Sequence, residues 1–223
     1  MSKEIENIER LINDKNVEFR DFKLTRVETR KSEDDSEVLE IEGTPCVFDT
    51  ETTLYKGKYW EFREKVDRNA FNEADISDVI FNYNHGGRVF ARTRNKSLSL
   101  ETKGDGLHMK ATLRKNDRGH EELYNDIQSG LIDRMSFAFT VKECKIEDIL
   151  RNDEPDLEIR TITKIDKLYD VSAVDIPAYD TTSISARKAF NAESREREAE
   201  SLRVAKDIAL AKAKFEYLTE VNE

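Results

Sequence analysis

The chain has 223 residues, of which 37% are apolar and 38% charged, and its formal net charge is −10. That length and apolar share suit one domain with appendages, or two small ones, under a heavily ionised surface. The acidic balance argues against a nucleic-acid binder, and no apolar run approaches the roughly 18 residues of a membrane span. The stretch "MSKEIENIER" is acidic from its fourth residue and lacks an apolar core region, so no secretory signal is expected.

In chain order, Ile5, Ile8, Leu11 and Ile12 lie at helical spacing and predict a short amphipathic helix within residues 1–16. From Val17 the pattern turns β-like in "VEFRDFKLTRVETR" and "SEVLEIEGTPCVF", and Gly43, Pro45 and "DTETT" are expected to end that section. "YWEFREKV" reads as a strand, and "DRNAFNEADISD" as a short helix capped by Asp67. "VIFNYNH" reads as a strand that stops at Gly86-Gly87, with Val79, Phe81, Tyr83 and His85 on one face. "LSLETKGDGLHMKATL" predicts a hairpin turning at Lys103-Gly104-Asp105-Gly106. "NDRGHEELYNDIQSG" predicts a helix with Leu123, Tyr124 and Ile127 inward, Asn116 or Asp117 as N-cap and Gly130 as terminator.

In "DRMSFAFTV", alternation puts Met135, Phe137, Phe139 and Val141 on a core face and Ser136, Ala138 and Thr140 on the other. "IEDILRNDEPDLE" reads as a loop or hairpin tip, and "IRTITKIDKLYDVSAVDI" as one or two strands ending at Pro177. Residues 17–186 therefore predict a β-rich barrel or sandwich with two helices, of mixed α+β class. Residues 187–223 contain no Gly or Pro and predict a long helical tail. Val204, Ile208, Ala211, Phe215 and Leu218 form its apolar stripe, expected to dock on a neighbouring surface.

The chemistry is approached by elimination. Cys46 and Cys144 stand far apart without a CxxC pair, which reads as two structural thiols in a reduced setting. HExxH and phosphate-cradling loops are absent, so no metal or cofactor is expected. Of three histidines, His108 has no partner at ligand spacing and His120 opens a helix, where a polar residue is usually solvated. His85 emerges at a strand end, where an imidazole can be oriented and still reach substrate. A serine hydroxyl attacks carbonyls only with a base in reach and a group orienting that base. Ser136 and His85 supply the first two roles. Asp170, flanked by apolar residues, is a buried carboxylate needing a partner, with Asp166 and Asp175 as competitors. The chain order His, Ser, Asp matches none of the familiar triads, and the GxSxG elbow is missing.

Six blocks in succession carry a resemblance: "IEGTPCVFDTET", "EKVDRNAFN", "VIFNYNHGGRVFART", "GDGLHMKATL", "LYNDIQSGLIDRMSFAF" and "LYDVSAVDIPAYDTTSISAR". Over about Leu39 to Arg187 the chain resembles the tailed-phage prohead proteases of the HK97 type. The resemblance implies a serine endopeptidase with an assemblin-like fold: a closed or partly open β-barrel with surrounding helices, here with a C-terminal helical extension. It implies cleavage of the major capsid protein or its scaffold domain, and of the protease itself, inside the procapsid in the host cytoplasm. Carried over by block, His85 is the base, Ser136 the nucleophile and Asp170 the orienter. Two departures stand out: Ala138 replaces a frequent glycine, and Asp170 replaces the usual glutamate. The competing readings are a non-enzymatic capsid assembly protein on the same fold, or a hydrolase using carboxylates or a metal.

Overall fold

Strand β3, Val38–Val47, shows how alternation becomes structure. Leu39 and Ile41 are buried, while Val38, Glu40 and Glu42 stay half-buried. The computed structural model describes residues 17–22, 28–31, 38–152, 154–175 and 183–220; the helix expected within residues 1–16 lies outside them. Before β3 come β1 (Glu18–Phe22) and β2 (Glu28–Lys31). After it come β4 (Thr52–Lys56), β5 (Trp60–Val66), β6 (Ile80–Tyr83), β7 (Gly86–Arg92), β8 (Leu98–Lys103) and β9 (Gly106–Arg114). Helix α1 (Arg118–Ser129) precedes two long strands, β10 (Arg134–Ile149) and β11 (Asp156–Val174), and α2 (Ser183–Glu220) ends the described chain.

Among the described residues the strands form two sheets. One runs β1-β10-β11-β5-β4, with β6 pairing β11 and β7 pairing β6; the other runs β2-β3-β9-β8. The fold is β-rich with few helices, as expected, but neither sheet closes on itself. Ile41, Leu107 and Leu113 from one sheet meet Phe81, Phe137, Phe139, Ile162 and Leu168 from the other, all essentially without solvent contact. Each such side chain contributes about 1.5–3 kcal/mol by leaving water.

Several local expectations hold. The β8–β9 hairpin turns at Gly104-Asp105. Helix α1 is capped by Asp117, which accepts from the Gly119 and His120 amides, and ends at left-handed Gly130. Others are corrected. No helix forms after Asp67: its carboxylate accepts from the Asn69 amide at 2.8 Å, and separate turns follow at Asn69 and Phe71 without joining into a helix. Strand β3 runs through Gly43 and Pro45, because a register shift between Gly43 and Cys46 accommodates the missing N–H. Strand β4 follows directly; its pattern has no alternation to read, since it lies at a sheet edge. The segment "IEDI" prolongs β10 as far as Ile149, leaving only 150–155 as the tip.

Among its described side chains, helix α2 is held by polar contacts. Glu196 accepts from the Tyr59 and Trp60 amides at 2.6 and 2.9 Å, and Arg203 donates to the Arg151 carbonyl at 3.2 Å. Val204 and Ile208 are about half exposed, so the expected docking of the stripe is not seen at these positions. Cys46 is buried as expected of a structural thiol, whereas Cys144 is exposed on β10.

Candidate active site

His85 does not lie on a strand face. Tyr83 pairs with Gly86, so the turn consists of Asn84 and His85, both left-handed at φ 51° and 56°. Two consecutive positive φ values define the type I′ hairpin turn, whose second place usually belongs to glycine. Gly86 instead begins β7. A histidine held there costs of order 1 kcal/mol and persists only where surrounding bonds fix it. They do: the His85 amide donates to Ser172 Oγ at 2.9 Å, and Ser172 Oγ in turn donates to Asn82 Oδ1.

The turn hangs the imidazole over β10 and β11. His85 Nε2 lies 2.6 Å from Ser136 Oγ, and His85 Nδ1 lies 2.8 Å from Asp170 Oδ1. An ionised carboxylate only accepts, so Nδ1 carries the proton and Nε2 presents its lone pair to the serine. That tautomer is the one a general base needs. Register explains the convergence: Ser136 pairs with Ser172, Ala138 with Asp170, and Asp170 with Ile80 on β6. The register passes from Ala138 opposite Asp170 to Phe139 opposite Leu168, stepping over Tyr169, the kind of bulge that re-aims a neighbouring side chain. Asp170 is 6% exposed and Ser136 0%, so this cluster of three side chains is dry and its Coulomb terms are weakly screened.

The competing acids are engaged elsewhere. Asp175 accepts from Tyr83 Oη at 2.7 Å, and burial together with that bond pushes the phenol up to about 12. Asp166 is exposed, and its carboxylate accepts a long bond from Thr140, at 3.4 Å. His108 bonds Asp105 at the surface, far from this chemistry in role. His120, expected to be solvated, is 3% exposed and accepts from the Arg114 amide at 2.9 Å; burial lowers its pKa.

Residues 25–197 match the family described as caudovirus prohead serine protease. The chain belongs to that family. It is a serine protease of phage capsid maturation, and the non-enzymatic assembly reading is not favoured. No curated protein matches the sequence. The solved capsid assembly protease gp21 of bacteriophage T4 is similar at 14% identity, covering 72% of this chain and 98% of that one, with a TM-score of 0.40.

This prohead protease contains site features that sequence reasoning missed. The small-residue face of β10 is not open: β1 lies beside it antiparallel, and the Ser136 hydroxyl also reaches the Arg20 carbonyl at 3.0 Å. Phe19 stands edge-on to the His85 ring at 4.6 Å and packs with Val17, Ala138 and Tyr169. Arg20 is bound by Glu64, both almost fully buried. Alternation in "VEFRDF" signalled a strand, but a backbone carbonyl acting as a partner leaves no mark in sequence. Ser172 sits in the quoted block "LYDVSAVDIP" and was legible as a residue, though not as the anchor of the turn.

Proposed function

We propose that Ser136, His85 and Asp170 are the catalytic triad of this protease. The single observation that carries the reading is one imidazole bonded at 2.6 Å to Ser136 Oγ and at 2.8 Å to Asp170. The Ser136 hydroxyl proton passes to His85 Nε2 as Oγ bonds the scissile carbonyl carbon. Asp170 stabilises the imidazolium without taking its proton. Collapse of the tetrahedral intermediate breaks the C–N bond, and His85 hands the proton to the leaving amine. Water, deprotonated by the same nitrogen, then releases the acyl group from Ser136.

The substrates in this reading are the major capsid protein or its scaffold domain, and the protease itself, inside the procapsid within the host cytoplasm. The match to prohead serine proteases supports that compartment and substrate class. Residues 17–186 are taken as the catalytic unit, 187–223 as a helical appendage and 1–16 as a separate N-terminal segment. The finer likeness to assemblin, as a partly open barrel, belongs to the same proposal; the six sequence blocks, met in order along the chain, support it.

Ser136→Ala, co-expressed with the coat protein, tests the assignment. Loss of a serine nucleophile is worth about 10⁶ in kcat, so no processing is expected on gels or by mass spectrometry. Undiminished processing overturns it.

A further inference from the structure

A nucleophile with no solvent contact cannot meet a protein substrate, yet Ser136 is 0% exposed. What lies along it is β1. Arg20 stands opposite Phe137 and Asp21 opposite Ser136, and the Ser136 hydroxyl lies 3.0 Å from the Arg20 carbonyl oxygen. An extended segment added to a strand edge beside the nucleophile is one way a protease holds a peptide; here the hydroxyl donates to the carbonyl oxygen, and attack requires Oγ to turn its proton to His85 and close on the adjacent carbonyl carbon.

The side chains of β1 are held as closely as its backbone. The Arg20 guanidinium, 3% exposed, forks onto Glu64 through Nε and through Nη2 at 2.9 Å, and lies 5.6 Å from the Phe139 ring centre. Two residues earlier, Glu18 receives both terminal nitrogens of Arg160, at 2.7 and 2.8 Å. Between them Phe19 packs against Val17, Ala138 and Tyr169 and against the His85 ring. The strand offers an acid and then a base, which also pair with each other, and β11 and β5 answer with Arg160 and Glu64 respectively. Glu64 and Arg160 also pair with each other at 3.1 Å. When β1 leaves, neither becomes an isolated buried charge, a condition any reusable subsite must meet.

We propose that the β10 edge is the substrate groove and selects extended segments reading acidic, apolar, arginine, and that β1 is the enzyme's own first substrate. The proposal rests on the triad reading above. The bond presented is Arg20–Asp21. Ser136 Oγ bonds the Arg20 carbonyl carbon as its proton moves to His85; the C–N bond breaks and the proton goes to the Asp21 nitrogen. Water then hydrolyses the Arg20 ester, giving the Arg20 carboxylate and free Ser136. Residues 1–20 are released, and the groove opens to capsid substrates. Until that cut, β1 keeps the enzyme quiet.

The full-length chain is incubated and followed by intact mass and N-terminal sequencing, with Ser136 monitored by a fluorophosphonate probe. A new N-terminus at Asp21 is expected, together with labelling that rises as the cut proceeds. In Arg20→Ala the cut after residue 20 disappears, while labelling is fast from the start because the strand over Ser136 has lost its anchor. A peptide spanning residues 15–24, KNVEFRDFKL, is then given to the processed enzyme. Replacing its arginine by alanine lowers kcat/KM about 100-fold, the usual loss when one partner of a buried charge pair is removed. Glu64→Gln narrows the preference for arginine over alanine about tenfold. Cleavage elsewhere in the chain, or equal cleavage of both peptides, with Ser136 labelled normally, overturns the groove and leaves the triad standing. Absence of labelling in both the wild type and Arg20→Ala overturns the triad, and the groove with it.

Discussion

Two hairpins of equal loop length show how the chain spends conformational strain. Between β8 and β9 the turn is Gly104-Asp105, flanked by the pair Lys103 and Gly106, and neither central residue is left-handed. Between β6 and β7 the turn is Asn84-His85, flanked by Tyr83 and Gly86, and both are. The freely permissive residue thus sits where no unusual backbone is required, and a bulky ring sits where glycine fits best. The first hairpin only connects strands. The second aims an imidazole, the proposed base, and the amide bond to Ser172 with ring contacts to Ser136 and Asp170 holds it in place.

The strongest way to break this comparison is at His85 itself. His85→Ala and His85→Gly both delete the base, and each is expected to lose about 10⁶ in kcat, read from the rate of coat-protein processing. The two differ in the turn. Both leave Asp170 without its imidazole, so that cost cancels between them. Glycine relieves the left-handed penalty and alanine does not, and the Gly variant is expected to be more stable by about 1–2 kcal/mol in urea unfolding. Equal stabilities for the pair show that the turn stores no strain.

A smaller loss is expected at Asp170. Asp170→Asn keeps the volume, but the amide can donate to Nδ1 and favour the wrong tautomer, costing about 10⁴ in kcat. Ser136 and His85 remain, so residual processing well above that of Ser136→Ala is the checkable outcome. Matching losses in the two variants make the carboxylate as indispensable as the nucleophile, which the geometry does not support.

Much of this was legible beforehand, for reasons that differ by residue. Ser136 and Asp170 sit in long strands whose patterns announce burial, and a polar residue within such a pattern invites an explanation. The β8–β9 hairpin and helix α1 were readable because turn and cap residues act within a few positions. His85 is singled out for an incorrect geometric reason: the predicted strand runs two residues too far, because Gly86-Gly87 is the more conspicuous turn signal. Glu64, Arg160 and Arg20 were invisible as a group. They come from three distant segments, and a charged residue in a chain rich in charge carries no sign of being buried until the sheet order is known. The exposure of Val204 and Ile208 on α2 misled in the opposite sense, since a heptad stripe does not say whether its partner is within the chain.

The other buried histidine sharpens the contrast, at still lower cost. His120 is held neutral by burial, with Asp117 opposing that effect and Arg88 and Arg114 reinforcing it. Its folded pKa lies below the ordinary imidazole value of about 6.5 that the unfolded chain retains. Between the two, the unfolded state binds the extra proton, so stability is complete above about 6.5 and is lost as pH falls through the folded value. Chemical denaturation between pH 7.5 and 5 is expected to show that decline. His120→Gln, which can still accept from the Arg114 amide but does not titrate, should flatten it; an unchanged slope assigns the decline to other groups.

The smallest expected effect lies in the unstrained hairpin. A β-carbon built on Gly104 meets nothing within 4 Å, and its φ lies outside the left-handed region. Gly104→Ala therefore adds no clash and no backbone penalty to the folded state, while it removes freedom from the unfolded chain. A gain of about 0.4–1 kcal/mol is expected, with processing unchanged because the turn touches no part of the triad. The same type of substitution at two turns thus has opposite expected signs: alanine is worse than glycine at position 85 and better at position 104. Urea unfolding of both pairs measures that difference directly. If alanine is disfavoured equally at both turns, the strain belongs to hairpins in this fold generally, and the placement of His85 loses its special standing.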